Sequence, residues 1–419
     1  MTSELLRQVR LIDPVTQTDR TADVLLVDGH IQAVESRLAE IPPETTVYEG
    51  KGCVLAPGLV DLYSHSGEPG FEERETLDSL CQAAMAGGFT RLTLLPTTHP
   101  ALDNPASVEW IRSQVSKAQP SLQVNCWGAL TLAAKGEQMT ELAELAEAGI
   151  AGFADGKPLS GALLRRILEY GQTLNKPIAL WCCDQALAGN GVVREGNESM
   201  RLGLPGNPAI SETAPLAALL ECVAAVGTPI HLMRVSTARS VELIQAAKAA
   251  GVPITASTTW MHLLLDVTAV HSYNPSLHLE PPLGNPSDRA ALIQGLQSGV
   301  LDAIAVDHTP YTYEEKTVSF AESPAGAIGL ELALPLLWQT FVASGKWSAL
   351  DLWRWLSTEP ARCLKQTPAP ITPGLKAELV LFDSEHTWQI TPQTLQSRST
   401  NTSWLHQTIQ GRVIKTWCS

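Results

Sequence analysis

The 419-residue chain is 44% hydrophobic and 17% charged, an ordinary globular composition that can bury a large core. Its net charge of −14, with no cluster of Lys or Arg, argues against nucleic acid and anionic membranes as main partners. No stretch reaches the roughly 18 uninterrupted apolar residues of a membrane span, and "MTSELLRQVRLIDP" lacks a basic-then-apolar leader pattern, so a cytoplasmic location is expected.

Residues 1–55 contain "VRLIDP", "ADVLLVDGHIQAVES" and "TVYEGKGCVLAPG", β-rich runs broken by turns. The middle of the chain then repeats one pattern, a short apolar run followed by a loop and a helix-like segment. The runs are "LVDLYSHS" (59–66), "RLTLLPTT" (91–98), "LQVNCWGAL" (122–130), "IAGFADG" (150–156), "PIALWCC" (177–183), "PIHLMRVS" (229–236), "VPITASTT" (252–259) and "LDAIAVDH" (301–308). Segments between them, such as "TLDSLCQAAMAGG" and "SVELIQAAKAAG", have helical spacing and a Gly at the C-terminal stop. Eight such units predict an α/β fold, a closed (β/α)8 TIM barrel over residues 56–371. The rival is a doubly wound open sheet, which the lack of a Gly-x-Gly-x-x-Gly turn after the first strand disfavours. Residues 375–418 return to β-rich runs, so residues 1–55 and 372–419 are predicted to build one small β-sandwich from both termini. The eight cysteines include no Cys-x-x-Cys pair, and reduced core thiols are expected.

Chemistry in a barrel sits at the C-terminal strand ends. There the chain places Tyr63 and His65, Thr97, Asp155, Trp181, Arg234 and Asp307. Tyr63 and His65 are two residues apart on a strand and share a face. His65, Asp155 and Asp307 meet the ligand count of a hydrolytic zinc site; the alternative is a polar plug at the barrel mouth. Arg234 weighs against a metal, because a fixed positive charge repels a divalent cation and offers nearby carboxylates a bidentate partner. Pairing of Arg234 with Asp155, Asp307 or both is therefore expected. His231 is read as a structural residue and Trp181 as packing. Ala325 and Gly326, in "SPAGAIGLE" (323–331), are weak candidates for presenting backbone groups to a substrate. Lys157, the nearest lysine to the fourth strand end, lies beyond the Asp155-Gly156 turn and is a poor candidate for a carbamylated metal bridge.

"APGLVDLYSHSGEPGFEERETLDSLCQAAMAGGFTRLTLLPTTHPALDN" (56–104) resembles the opening barrel segment of a dihydroorotase of the amidohydrolase superfamily. The resemblance continues through "GFADGKPL", "REGNESMRLGLPGNP", "HLMRVSTARSVELI", "AIAVDHTPY" and "SPAGAIGLELALPLL" into the terminal strands, spanning nearly the whole chain. It implies a barrel with a composite β-sandwich. Against the family pattern, Asp61, His65 and the catalytic Asp307 are kept, and Asp155 is the nearest match to the strand-four Asp. Tyr63, Trp181 and Arg234 stand where three metal histidines are implied. Gly67 replaces the substrate-carboxylate Arg, Thr97 and Glu280 replace two Asn, and Tyr311 replaces a His. The resemblance thus implies a kept fold with lost chemistry, like the silent dihydroorotase-like chains of pyrimidine biosynthesis that assemble with the aspartate transcarbamoylase catalytic chain. A homo- or hetero-oligomer without a cofactor is expected on that reading. The alternative is an active metal-dependent amidohydrolase with a rebuilt site, holding zinc and using Tyr63, His65 and Asp307.

Overall fold

The computed structural model describes residues 2–39, 41–119 and 121–418. Eight parallel strands follow one another in chain order: Leu59–Val60, Phe89–Leu94, Gln123–Ala129, Gly152–Ala154, Ile178–Trp181, Ile230–Met233, Ile254–Thr259 and Ala303–Ala305. Between the first and eighth, the Asp307 amide donates to Tyr63 O at 3.1 Å and the His65 amide to His308 O at 2.8 Å, which closes the barrel. All eight strands begin near the predicted positions and are shorter than their apolar runs, the first, fourth and eighth most of all. At the first strand the cause is Asp61. Its Oδ1 accepts from the Val306 amide at 3.0 Å and its Oδ2 from Ser64 Oγ at 2.6 Å, so a side chain takes over part of the ladder between strands one and eight. Burial raises the Asp61 carboxyl to about 7.

The barrel interior is filled by a tight group that includes Leu62, Tyr63, Leu95, Trp127, Ala179, Met233 and Ala305. Small residues on strands four, five and eight make room for Trp127 and Tyr63, both fully buried. Among the helices outside, Leu77–Ala86 begins at a capping box formed by Thr76 and Ser79 and stops at Gly87. No helix among the described residues is long and apolar enough to cross a membrane.

Both termini contribute to one further sheet, in the order 408–417, 379–389, 53–57, 3–13, 18–27, 30–35, with 46–49 also pairing 3–13. Strands 46–49 and 53–57 lie on the same edge of 3–13, one on each side of a bulge between Leu6 and Val9 where Gln8 has φ 54°. A bulge bends its strand, and this sheet closes around its own core of Leu6, Val9, Leu11, Val24, Leu55 and Leu379. The fold is a TIM barrel with a β-sandwich built from both ends of the chain.

Candidate functional site

The mouth of the barrel opens into a cavity of about 190 Å³. Its floor is organised by one guanidinium. Arg234, just past strand six, sends Nη2 to Asp307 Oδ1 at 2.6 Å and to His65 Nε2 at 3.0 Å. The guanidinium carbon stands 5.3 Å from the Trp181 ring centroid and 5.9 Å from that of Tyr63. Four strand ends therefore converge on a single cation. Tyr63 also holds it from below, since its hydroxyl accepts the Arg234 backbone N–H at 3.1 Å and contacts Ser257 Oγ at 3.1 Å. Arg234 and Asp307 both have φ 56°. Left-handed backbone is costly for a non-glycine residue, and here it falls on both partners of the ion pair.

An arginine N–H can only donate, so His65 Nε2 is the acceptor and the ring proton sits on Nδ1, which lies 3.0 Å from Thr97 Oγ1. Burial, together with the adjacent Arg234 charge, lowers the His65 pKa to about 4. Burial raises the Tyr63 hydroxyl well above its ordinary value.

The predicted ligand set of His65, Asp155 and Asp307 is not assembled. Asp155 lies past the short fourth strand, and its carboxylate is taken by other partners. Its Oδ2 accepts from Thr131 Oγ1 at 2.5 Å and its Oδ1 from the Gly156 amide at 2.7 Å. Arg234 pairs with Asp307 alone. Among the described residues no group of three or more His, Cys, Asp or Glu donors could hold a metal ion. Zinc does not fit this ring as it stands: the two groups it would need, His65 Nε2 and Asp307 Oδ1, already share Arg234 Nη2, and a divalent cation could enter only by displacing the guanidinium. Lys157 lines a neighbouring cavity rather than the ring.

The positions that the resemblance assigns to substrate binding also differ from the family pattern. A Cβ on Gly67 would lie 2.4 Å from Glu75 O and 2.6 Å from Phe71 O, so the loop closes where the family's arginine would emerge. We expect Gly67→Ala to destabilise the protein by about 1–3 kcal/mol, as overpacking does, measured by urea unfolding. An unchanged midpoint would show that the loop yields. Glu280 and Tyr311 reach the cavity wall, as do Ala325 and Gly326, although the Gly326 amide already donates to His278 O at 2.8 Å.

Sequence reasoning passed over Arg74. It stacks on Phe71 (4.1 Å) and Tyr311 (4.8 Å) and grips Glu315 through Nε at 3.0 Å and Nη2 at 2.5 Å. It lies in the loop after strand one, where neither apolar spacing nor a strand end marked it. Trp181, read as packing, does pack against the barrel interior and also offers a face to the Arg234 cation.

His231 has the structural role expected of it. It is buried in the barrel, with Nδ1 2.9 Å from Thr255 Oγ1 and Nε2 2.9 Å from Ser257 Oγ, and burial lowers its pKa to about 3. The unfolded chain then binds a proton at this position below about pH 6.5 that the folded chain refuses. Stability from this residue is complete above that pH and is lost as pH falls toward 3, at up to about 1.4 kcal/mol per pH unit. Asp61 and Glu331, both raised to about 7 by burial, act oppositely between about pH 7 and 4. The expected result is therefore a difference. Urea unfolding of His231→Gln between pH 6 and 4 should lack about one proton of the wild-type dependence, and parallel curves would refute a buried neutral His231.

The family model described as Dihydro-orotase-like matches residues 52–240. A probable dihydroorotase-like protein of Synechocystis sp. is 44% identical over 443 aligned positions, covering 99% of both chains. A dihydroorotase of Syntrophus aciditrophicus is 36% identical, covering 98% of this chain and 97% of its own. Among solved structures, the L-hydantoinase (dihydropyrimidinase) of Arthrobacter aurescens superposes with a TM-score of 0.85 at 19% identity, covering 100% of this chain and 97% of its own, a likeness of fold. Identity of this level over full length places the chain in the dihydroorotase-like family of amidohydrolases.

Proposed function

We propose that this chain is a non-catalytic dihydroorotase-like protein of pyrimidine biosynthesis, serving as a structural subunit for the aspartate transcarbamoylase catalytic chain. The observation that carries the first part is the Arg234 guanidinium, seated between His65 and Asp307 with Trp181 and Tyr63 against it. Metal-assisted hydrolysis needs a cation with an open position for water or the scissile carbonyl. A guanidinium offers donors but no coordination site. Asp307, the family's general base, has one oxygen engaged in a charge-assisted bond at 2.6 Å with Arg234. The closed loop at Gly67 independently removes the place for a carboxylate clamp. The partnership rests on the family resemblance, a kept scaffold with replaced chemistry.

The test is to mix the purified protein with an aspartate transcarbamoylase catalytic chain from the same organism and follow size by light scattering. A joint assembly of defined mass is expected; independent elution of the two would refute the partnership. A second reading is an active cyclic-amide hydrolase with a rebuilt site. It is favoured by the open 190 Å³ cavity and by full-length relatives named dihydroorotase. Turnover of dihydroorotate or another cyclic amide by the same sample would decide for it.

A further inference from the structure

The cavity at the barrel mouth survives although its chemistry has been replaced, and its remaining hydrogen-bonding capacity is lopsided in a specific way. Both side-chain hydrogen bonds of Arg234 leave from Nη2, while its Nε is buried with no partner among the described residues. Nε itself is sealed from the cavity, but Nη1 makes no hydrogen bond among the described residues either and is the donor left open to an acceptor bound there. The other cation of the cavity, Arg74, is already forked onto Glu315. On the acidic side Asp155 is occupied by Thr131 and the Gly156 amide, and Asp307 by Arg234. Glu280 lines the same cavity, is exposed, and makes no side-chain hydrogen bond among the described residues. Its charge reaches Arg234, whose pKa it helps to raise.

The cavity thus presents an underused guanidinium and an unengaged carboxylate. A simple anion at Arg234 meets the repulsion of Glu280, and a simple cation at Glu280 meets that of Arg234. A ligand carrying both charges satisfies both. Leu95, Met233, Met261 and Leu279 also line the cavity and give it apolar wall against which a short side chain can pack. We propose that the barrel mouth binds a small zwitterion of the α-amino-acid class, its carboxylate on Arg234 and its ammonium on Glu280. The anion site has then moved from the loop position now closed at Gly67 to the former metal ring. This rests on the reading that Arg234 stands in place of a metal.

The test uses L-serine and L-alanine as zwitterions, sodium acetate as the carboxylate alone and ethylammonium chloride as the ammonium alone. Binding is measured by titration calorimetry and by the concentration dependence of Tm. Serine or alanine should bind and raise Tm, as a ligand of the folded state must, and should do so at least about tenfold more tightly than acetate or ethylammonium. Glu280→Gln, an exposed change that leaves the fold intact, should weaken serine about tenfold or more and leave acetate bound as tightly or more tightly, since the repulsion of Glu280 is removed. The proposal is overturned if neither zwitterion binds, if acetate binds as tightly as serine, or if Glu280→Gln leaves serine binding unchanged. Zinc content and dihydroorotate turnover, measured on the same sample, separate the two readings. A zinc-loaded active protein defeats the metal-replacement reading, whereas a zinc-free inactive protein that ignores serine defeats the amino-acid site alone.

Discussion

Arg234→Met is expected to lower the unfolding free energy by about 3–5 kcal/mol near neutral pH, the cost of removing one partner from a buried ion pair. The side chains of Arg234 and Asp307 are 11% and 14% exposed, so solvent screens the pair little. Methionine fills much of the same volume but leaves Asp307 Oδ1 and His65 Nε2 without the donor they share. Asp307→Asn in the Arg234→Met background should return part of that loss, since it removes the orphaned charge. A double-mutant cycle by urea unfolding measures the coupling. If Arg234→Met unfolds at the wild-type midpoint, the pair exists without contributing to stability, and the guanidinium is not what holds the ring together.

Trp353→Ala is expected to cost about 3–5 kcal/mol, the usual range for truncating a buried tryptophan. Trp353 is fully buried on helix Ala349–Trp353, and its indole N–H donates to Pro57 O at 3.1 Å, where the terminal sheet runs into the first barrel strand. Its ring meets Trp338 edge-on at 5.8 Å and Phe382 of the terminal sheet at 6.3 Å. Alanine leaves a cavity at the junction and an unpaired carbonyl. Trp353→Phe keeps much of the ring and loses only the hydrogen bond, so it should cost about 1–3 kcal/mol. Equal urea midpoints for Trp353→Ala and wild type would mean that the junction repacks without loss.

The barrel was legible because eight short apolar runs alternate with helical segments, some of which stop at a glycine such as Gly87 or Gly227. The strand lengths were less legible, since a side chain such as Asp61 can replace ladder hydrogen bonds without changing the apolar pattern. The residues gathered at the mouth were predicted from strand ends alone, and Tyr63, His65, Trp181, Arg234 and Asp307 do meet there. The pairing of Arg234 with Asp307 was readable, but its restriction to Asp307 was not: Asp155 stands one residue past Ala154 whereas Asp307 stands two past Ala305, and Thr131, from a different loop, claims the Asp155 carboxylate. Arg74 and the closed backbone around Gly67 depend on how residues 66–75 fold back on themselves, and no spacing rule reports a loop's path.

The most direct measurement of the central claim is metal content and turnover on one preparation. The protein is purified without chelator, incubated with excess zinc, desalted, and analysed for bound zinc and for interconversion of carbamoyl aspartate and dihydroorotate. With Arg234 seated between His65 and Asp307, zinc should remain far below one equivalent and no turnover should be seen. One equivalent of retained zinc together with measurable turnover would contradict the account, because the guanidinium would then have to leave the ring to admit the metal.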